Sequence, residues 1–380
     1  MQELRNEIDA IDNQLVELFK KRMATSAKIA DYKRVHKLPV LDPERERQLL
    51  KRIAGLAGED LAPSAKTLYK TLLSLSRLHQ NRLLHKDDKD LATIRETIAA
   101  AEKPLEFPTE AVVACQGTEG SFSTLAAERF FKEPSPMFFN RFEKVFQAVD
   151  KGLCHYGILP IENSTAGAVN QVYDLMREYR FHIVRSAKLC VSHTLLALPG
   201  ATLDGIKTIF SHEHAYQQCS DFFQEHPGIK FEPVANTAIA AKQVAASGRH
   251  DIAAIASHNC AEIYGLIPLL HSMQNRAYNV TRFICISKKP EIFPGADRTS
   301  FVLTLPHRSG SLYNVMALLA SYDVNLQKLE SRPVPGSDFA FMFYFDMDAS
   351  PLSPDFLPMM ESIRSLSETF TYLGSYLELG

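Results

Sequence analysis

Apolar residues recur at intervals of three and four through the first 38 residues, and neither proline nor glycine interrupts them. This spacing predicts a single long amphipathic helix. The same line along the helix also carries Arg5, Arg22 and Lys33. An anionic ligand inside a helical bundle would neutralise these cations, because burying each one alone costs on the order of several kcal/mol. The alternative is that the three side chains extend to the solvent.

The spacing of the three cations bears on the oligomeric state. At a rise of about 1.5 Å per residue, Arg22 and Lys33 lie roughly 16 Å apart, so their long side chains could reach one small molecule. Arg5 lies roughly 25 Å from Arg22, which is too far within one chain. An antiparallel partner helix would bring Arg5 to that molecule. The sequence therefore predicts a homodimer, or a higher homo-oligomer, with shared sites.

A second helix is predicted from Asp42, whose side chain can accept a hydrogen bond and which precedes Pro43. An acidic residue at the cap and a proline in the first turn are typical of helix starts. This helix carries Arg45 and Glu46, whose simplest interpretation is an exposed helical ion pair. It is predicted to end near residues 55–58, where two glycines stand.

A third helix is predicted after Pro63, and it places Ser76 and Gln80 one turn apart on the same face. Residues 1–85 are thus predicted to form an all-α domain. Residues 86–107 are charged and weakly apolar, which indicates a linker with some helix.

Between residues 108 and 290, an apolar strand-like run is followed five times by a polar step and then by a helical pattern. This alternation predicts an α/β domain with a mostly parallel sheet, whose ligands bind beyond the carboxyl ends of the strands. A helix cap explains each polar step alone, but five in one region favour an anion pocket beside helix N-termini. The polar steps contain Ser121, Asn163, Ser164, Thr165, Ser211, Asn236, Thr237 and Ser257. No glycine-rich nucleotide motif occurs.

Residues 298–380 follow the order strand, helix, strand, strand, helix, strand. The predicted strands are 301–305, 325–331, 339–346 and 369–377, and the predicted helices are 311–321 and 354–366. This order is the split arrangement of ferredoxin-like folds. A module this small without evident catalytic residues suits regulation or dimerisation.

Composition narrows the class of protein. Hydrophobic residues make up 46% of the 380, which is enough for two or three domain cores. The net charge of −2 argues against a nucleic-acid partner. Six scattered cysteines without a CxxC pair favour reduced thiols in a cytoplasmic protein over disulfides or a metal site. Neither a signal peptide nor a membrane-spanning run is predicted.

Several motifs together resemble the P-protein family, in which a chorismate mutase is fused to a prephenate dehydratase and an ACT domain. The matching residues are Arg5, Arg22, Lys33 and 42–46 at the front, 160–165 (PIENST) and 279–283 (NVTRF) in the middle, and 330–333 (ESRP) near the end. The resemblance implies three folds. They are an all-α mutase domain over 1–85, a two-lobed α/β dehydratase domain like periplasmic binding proteins over 108–290, and a ferredoxin-like ACT domain over 298–380. It implies no cofactor and no metal.

For the mutase step the resemblance implies catalysis without a covalent intermediate, because chorismate rearranges in one pericyclic step. Arg22 and a partner-chain Arg5 would hold the two carboxylates, and Lys33 and Gln80 would hydrogen-bond to the ether oxygen. The other implied contacts are those of Glu46 and Asp42 to the ring hydroxyl, with Arg45 and Ser76 in support.

For the dehydratase step the enzyme must give a proton to the leaving hydroxyl of prephenate and hold two carboxylates. By resemblance Thr281 is nearest the leaving group, and its role as the proton donor is a hypothesis. Arg282 and Phe283 complete its motif and are expected at the substrate. The other implied substrate contacts are Ser121, Asn163, Ser164, Thr165 and Gln218.

By resemblance the terminal module binds L-phenylalanine at a dimer interface and inhibits the enzyme. The implied regulatory residues are Gly310, Leu312, Glu330, Ser331, Arg332 and Pro333. Three stretches depart from the family pattern. The first is the glycine loop 115–124. The second is the third polar step, Ser211-His-Glu-His214, where Pro-Gln is commoner in the family. The last is the pair Ser311 and Tyr313.

Two other functions are compatible with the sequence. A dehydratase that prefers arogenate, the aminated substrate, could differ by one side-chain contact. A non-catalytic amino-acid sensor would suit a two-lobed middle region, but it would not explain Arg22, Lys33, Glu46 and Gln80 on facing helices. The sequence does not choose between a dimer and a tetramer. Two separate sites and a linker give no reason to expect channelling of prephenate.

Overall fold

The computed structural model describes residues 1–84, 88–101, 105–276, 278–334 and 341–380. These residues fall into two compact units. The first unit comprises Met1–Glu96 and Val302–Phe370, and the second comprises Thr97–Phe301 and Thr371–Gly380. Each unit therefore combines two separate segments of the chain.

The chain opens with three helices, α1 (Gln2–Val35), α2 (Pro43–Leu84) and α3 (Lys89–Ala101). The long first helix confirms the prediction. The predicted start after Pro63 is wrong, because Pro63 lies inside α2 and the interruption is at Gly58, with φ 73° and ψ 166°. Glycine adopts a positive φ readily, so Gly58 is where the two segments meet. The predicted linker contains α3, while residues 85–87 and 102–104 lie outside the described residues.

Most of the apolar face of α1 is exposed in the single chain. Ile8 is 57% exposed and Leu15 is 55% exposed, and the buried residues of this helix are Ser26 and Ala30. The predicted buried seam is therefore covered only near its end, where α1 packs against α2. A long exposed apolar stripe is typical of a surface that a partner covers.

The second unit has two lobes, each built on its own sheet. The first lobe contains strands β1 (Glu110–Gln116), β2 (Glu133–Phe139), β3 (Tyr156–Asn163), β4 (Gly167–Ala168) and β5 (His182–Cys190), and helices α4 (Phe122–Phe130), α5 (Phe142–Asp150) and α6 (Asn170–Tyr179). The second lobe contains strands β6 (Thr194–Ala197), β7 (Thr208–Ser211), β8 (Lys230–Pro233), β9 (Ile252–Ala256) and β10 (Ile267–Leu270), and helices α7 (Glu213–Gln218), α8 (Ser220–Glu225), α9 (Thr237–Ser247) and α10 (Asn259–Tyr264). The chain then returns to the first lobe as β11 (Val280–Ser287).

The five predicted strand-like runs correspond to β1, β3, β7, β8 and β9. The sheets are mixed, which corrects the expectation of a mostly parallel sheet. β1 runs parallel to β2 and β3, and β7 runs parallel to β8 and β9. β11 is antiparallel to β3 and β5, and β6 is antiparallel to β9 and β10. β6 and β11, at which the chain passes between the lobes, are antiparallel to their neighbours and need no crossover helix.

The terminal module consists of β12 (Arg298–Thr304), α11 (Ser311–Ser321), β13 (Leu326–Pro333), β14 (Phe341–Asp348), α12 (Phe356–Leu366) and β15 (Thr369–Leu379). Its strand order, β13-β14-β12-β15, confirms the predicted ferredoxin-like split. Residues 339 and 340 of the third predicted strand lie outside the described residues. The end of β15 belongs to the second unit, where Leu377–Leu379 pairs in parallel with β5.

Within the first unit, α12 of the terminal module packs against α2. The Nδ2 atom of Asn81 donates to the carbonyl oxygen of Ser365 at 2.9 Å. Arg364 forms an ion pair with Asp88 at 2.8 Å, and both side chains are largely buried. The helical region and the terminal module are therefore joined by polar contacts as well as by packing.

Across the described residues, every helix is too short or too polar to span a lipid bilayer. The same residues contain no group of histidine, cysteine and carboxylate side chains that could hold a metal ion.

Candidate active sites

The first polar cluster lies between α1 and α2. Arg22 donates to the hydroxyl of Ser76 and to the carbonyl oxygen of Leu72, the latter at 3.1 Å. Gln80 donates from Nε2 to the hydroxyl of Ser26 at 2.9 Å. Ser26, Ser76 and Gln80 are buried. The structure thus brings together three residues that the sequence singled out, Arg22, Ser76 and Gln80.

Gln80 has unused hydrogen-bonding capacity in this cluster. Among the described residues nothing donates to its buried Oε1 atom. Its Nε2 atom carries two hydrogens, and the structure assigns one of them to Ser26. A buried acceptor without a donor costs free energy, so this arrangement favours a bound polar ligand.

Lys33 and Glu46 lie at the end of the same cluster. The Lys33 ammonium donates to the carbonyl oxygen of Val40, in the turn between α1 and α2. Glu46 forms an ion pair with Arg77, and both side chains are about a quarter exposed. Arg77 was missed from the sequence. The cluster therefore holds three cations and one carboxylate, which suits an anionic ligand.

The other predicted mutase residues are placed differently. Asp42 caps α2, because its Oδ1 atom accepts a hydrogen bond from the backbone N–H of Arg45 at 3.0 Å. Arg45 itself is exposed, and so is Arg5 near the start of α1. The single chain does not bring Arg5 or Arg45 into the buried cluster.

The second polar cluster is in the second unit and centres on Asn163 at the end of β3. Its Nδ2 atom donates to the hydroxyl oxygen of Thr281 at 2.9 Å and to Oδ1 of Asn279 at 2.8 Å. Its Oδ1 atom accepts from the hydroxyl of Thr165 at 2.6 Å. Because the Thr281 oxygen already accepts, its own proton points away from Asn163. No described residue accepts that proton, so Thr281 can donate it to a ligand.

Gln218 continues this network from the second lobe. Its Nε2 atom donates to Thr165 Oγ1 at 3.1 Å, and its Oε1 atom accepts from Asn279 at 3.1 Å. Oε1 also lies 2.7 Å from Nε2 of His193, which must carry the proton because an amide oxygen only accepts. Burial lowers the pKa of His193, and the hydrogen bond to Gln218 offsets this only in part. His193 is therefore neutral near pH 7, and its Nδ1 atom has no partner among the described residues.

A cavity of about 320 Å³ lies beside this network. The lining residues are Thr165, Ala166, His214, Gln217, Gln218, Gln274, Asn275, Arg276 and Asn279. Most of the polar side chains among them are amides. Thr281 is linked to the lining residues through Asn163. His193, His214, Asn279 and Arg276 were not among the predicted contacts, although Asn279 begins the NVTRF motif.

Ser164 and Ser121 form hydrogen bonds within the protein and are not among the residues that line the cavity. The Ser164 hydroxyl accepts from the backbone N–H of Val280 at 3.0 Å, which fixes the start of β11. Ser121 is buried at the start of α4, where its hydroxyl lies 3.2 Å from that of Thr124. The preceding Gly120 carbonyl accepts from Ser257 of the second lobe at 2.8 Å. The structure therefore gives these two serines partners within the protein.

Arg282 and Phe283 do not reach the cavity, which corrects the expectation that both contact the substrate. Side chains alternate along a strand, so Arg282 points to the opposite face of β11 from Thr281. There it forms an ion pair with Glu378 at 2.9 Å and donates to the hydroxyl of Tyr376 at 2.7 Å. Phe283 is 3% exposed and packs in the core of the first lobe.

Glu378 is the buried centre of a partly exposed ionic cluster in the second unit. It pairs with Lys188 at 2.8 Å, Arg282 at 2.9 Å and Arg298 at 3.5 Å. Burial alone would raise the pKa of Glu378. The hydrogen bond from Lys188 and the charges of the three cations outweigh burial, so the pKa lies below its ordinary value of 4.5.

Replacing Glu378 by glutamine should lower the free energy of unfolding of the second unit by about 3 kcal/mol at pH 7, because three cations lose their shared carboxylate. The folded-state pKa of Glu378 is lowered, so its stabilisation is complete above pH 4.5 and disappears as the pH falls through the lowered value. Urea unfolding of both proteins at pH 7 and pH 3 would measure this. Asp251→Asn, at an exposed ion pair with Arg249, is the control and should have little effect. An equal loss at both pH values would contradict the prediction.

The predicted regulatory residues lie at two places in the terminal module. Gly310, with φ 85°, precedes α11, whose second residue is Leu312. The segment from Glu330 to Pro333 ends β13, an edge strand paired with Phe341–Tyr344 of β14. Leu329 on this edge is 37% exposed.

Comparison with known proteins agrees with this division into sites. A family model described as "Chorismate mutase type II" matches residues 4–81, and one described as "Prephenate dehydratase" matches residues 113–291. A bifunctional chorismate mutase/prephenate dehydratase of Escherichia coli K12 is 29% identical over 98% of this chain and 95% of its own length. An arogenate dehydratase/prephenate dehydratase of Arabidopsis thaliana is 36% identical over 70% of this chain and 72% of its own length.

The chain belongs to the bifunctional chorismate mutase/prephenate dehydratase family. This membership confirms the resemblance for the chorismate mutase and prephenate dehydratase domains. The first polar cluster falls within the chorismate mutase match and the second within the prephenate dehydratase match. The prephenate dehydratase of Arthrobacter aurescens, solved in complex with L-phenylalanine, is similar to the dehydratase part of the chain. It is 28% identical with a TM-score of 0.63, over 70% of this chain and 89% of its own.

Proposed function

We propose that this chain catalyses two consecutive steps of L-phenylalanine synthesis. The helical domain rearranges chorismate to prephenate, and the two-lobed domain converts prephenate to phenylpyruvate. The observation that carries the proposal is the presence of two separate clusters with different chemistry. One is a cationic cluster between helices, and the other is a cleft in which a threonine hydroxyl is oriented to donate a proton.

The first cluster suits the rearrangement of a dicarboxylate. Chorismate needs to be held in its compact conformer, with negative charge stabilised on the ether oxygen as its bond to carbon breaks. In the proposal, Arg22 binds a carboxylate, while Lys33 and the second Nε2 hydrogen of Gln80 face the ether oxygen. The ring hydroxyl donates to Glu46, which its ion pair with Arg77 holds in place.

The second cluster suits the loss of water and carbon dioxide. In the proposal, the Thr281 hydroxyl gives its proton to the leaving hydroxyl of prephenate, and water departs. The bond to the ring carboxylate breaks, its electron pair completes the aromatic ring, and carbon dioxide leaves. Solvent restores the proton to Thr281. Asn163 holds the Thr281 oxygen, and Gln218 ties Asn279 and Thr165 to the same edge of the cleft.

A homodimer formed through α1 is part of the proposal. The exposed apolar face of α1 supports it, because an antiparallel partner helix would cover Ile8 and Leu15. The same pairing would bring the partner's Arg5 to the cluster around Arg22. Sedimentation of the wild type and of Leu15→Lys measures this; the variant should be monomeric and should lose mutase activity. A monomeric wild type with full mutase activity would contradict it.

Inhibition by L-phenylalanine through an ACT domain is also part of the proposal. The ferredoxin-like strand order of the terminal module supports it, and so does the L-phenylalanine complex of the similar Arthrobacter aurescens enzyme. Dehydratase activity that is indifferent to millimolar L-phenylalanine would argue against the regulatory role.

The six unpaired cysteines support a reducing, cytoplasmic location.

The test of the whole proposal is to incubate the purified protein with chorismate and to follow prephenate and phenylpyruvate separately. Both products should appear in sequence. Prephenate alone would remove the dehydratase assignment and favour an arogenate enzyme or a sensor. Untouched chorismate would mean that the cations between α1 and α2 are structural.

A further inference from the structure

The cavity of the second unit differs in its charges from a site built for an amino acid. Two basic side chains, Arg276 and His214, are among its lining residues, and no described lining residue is a carboxylate. Glu213 precedes His214 on α7 but does not line the cavity. Among the described residues, no carboxylate pairs with Arg276. The cavity therefore carries at least one positive charge that no carboxylate among the described residues neutralises.

The segment that precedes Arg276 is held by several hydrogen bonds. The backbone N–H of Asn275 donates to the carbonyl oxygen of Gln218 at 2.7 Å. The Asn275 side chain donates to the Ser220 hydroxyl at 2.8 Å and accepts from the Asp221 backbone N–H at 3.2 Å. These bonds join the segment to the start of α8. The backbone immediately before Arg276 is thus fixed beside the cavity.

Gln274, two residues before Arg276, is also held in place. The side-chain oxygen of Gln274 accepts from the backbone N–H of His193 at 3.0 Å. His193 in turn donates to Gln218, which belongs to the network that reaches Thr281. The chain just before Arg276 is therefore tied to the same network as the proposed proton donor, and Arg276 itself lines the cavity. A change in its charge would be felt at the site without any need to move the backbone.

We propose that Arg276, with His214 also in the lining, makes the cleft selective for prephenate over arogenate. This inference rests on the proposed dehydratase function. The two substrates share both carboxylates and the ring hydroxyl, and they differ only in the side chain, which carries a keto oxygen or an ammonium group. The specificity of the cleft is then decided by which of these two groups the lining accepts.

Three features of the lining favour the keto acid. A guanidinium donates hydrogen bonds and never accepts them, so it suits a keto oxygen or a carboxylate and repels an ammonium group. Prephenate carries two negative charges, whereas arogenate carries one in total, so an uncompensated cation attracts prephenate more strongly. An ammonium group that is taken out of water needs an anionic partner, and the described lining offers only neutral acceptors.

The experiment measures kcat/KM for prephenate and for arogenate with the wild type, Arg276→Glu, Arg276→Lys and Lys242→Glu. The wild type should favour prephenate by at least about tenfold. Arg276→Glu should lower kcat/KM for prephenate about tenfold or more while leaving that for arogenate within about threefold, because the new carboxylate accepts the ammonium group. Arg276→Lys should keep the wild-type preference, since it keeps the charge.

Lys242→Glu is the matched control, because Lys242 is exposed on α9, is not among the cavity-lining residues and undergoes the same change of charge. It should leave both values unchanged. The mutase activity of each variant, measured on the same preparation, reports whether the protein is folded. Equal losses on both substrates in Arg276→Glu, or a wild type that prefers arogenate, would overturn the inference. Turnover of neither substrate by the wild type would overturn the dehydratase function, and this inference with it.

Discussion

Replacing Thr281 by alanine should reduce the dehydratase kcat about a thousandfold, whereas Thr281→Ser should stay within about threefold of the wild type. The reason lies in the hydrogen bonds of the hydroxyl. Asn163 donates to the Thr281 oxygen, so the remaining proton is directed away from Asn163 and is available to a ligand. Serine keeps that oxygen and proton, and alanine removes both. Steady-state rates of phenylpyruvate formation measure the effect.

The design has two internal controls. Mutase activity should be unchanged in both variants, because the two sites belong to different units of the chain. Substrate binding should also change little in Thr281→Ala, since the cavity-lining residues are retained. A fully active alanine variant would remove Thr281 from the mechanism. An inactive serine variant would point to a role for the threonine methyl group, which is not predicted.

Replacing Lys33 by alanine should reduce mutase kcat/KM by at least about a hundredfold, which is the usual effect of losing one donor to a developing charge. Lys33 is a cation at the end of the cluster between α1 and α2, and its ammonium now contacts only the Val40 carbonyl among the described residues. A ligand oxygen can replace that carbonyl. Alanine leaves the developing negative charge on the ether oxygen with one donor fewer.

Lys28→Ala on the same helix is the matched control for Lys33, because Lys28 is exposed and lies outside the cluster. It should retain wild-type mutase activity. Dehydratase activity on added prephenate should be the same in both variants. If Lys33→Ala retained wild-type mutase activity, the cations between the helices would be structural, and the proposed mutase mechanism would fail.

The spacing of apolar residues predicted the helices and strands whose apolar pattern is regular. The first helix, the five strands that precede polar steps and the ferredoxin-like order of the last module are all present. β2 was missed, because Pro134 and Pro136 interrupt its pattern. Proline is tolerated there because β2 lies at the edge of its sheet, where some backbone N–H groups need no partner. An edge position is a tertiary property, and no local pattern contains it.

The residues of the candidate sites were also predicted only in part, because tertiary structure decides which side chains meet. Arg77 follows Ser76 directly, about 100° around the helix, so helical spacing gave no reason to place it in the cluster. Arg276 lies in a segment without periodicity, and only the fold brings it to the cavity. Arg282 could have been excluded from the sequence, since neighbours along a strand point to opposite faces. Arg282 was nevertheless expected at the substrate because it belongs to the family motif. A motif shows which residues occur together, but not where each side chain points.

The end of β15 has a consequence for the order in which the protein is made. The second unit is complete only when Thr371–Gly380 joins it, and Glu378 in that segment neutralises the cations around Arg282. Synthesis proceeds from the amino terminus, so the ribosome makes three strands and both helices of the terminal module before it makes β15. Any chain with a finished dehydratase sheet therefore already carries the module proposed to restrain it. Nascent chains that stop before Thr371 lack the segment that completes the second unit.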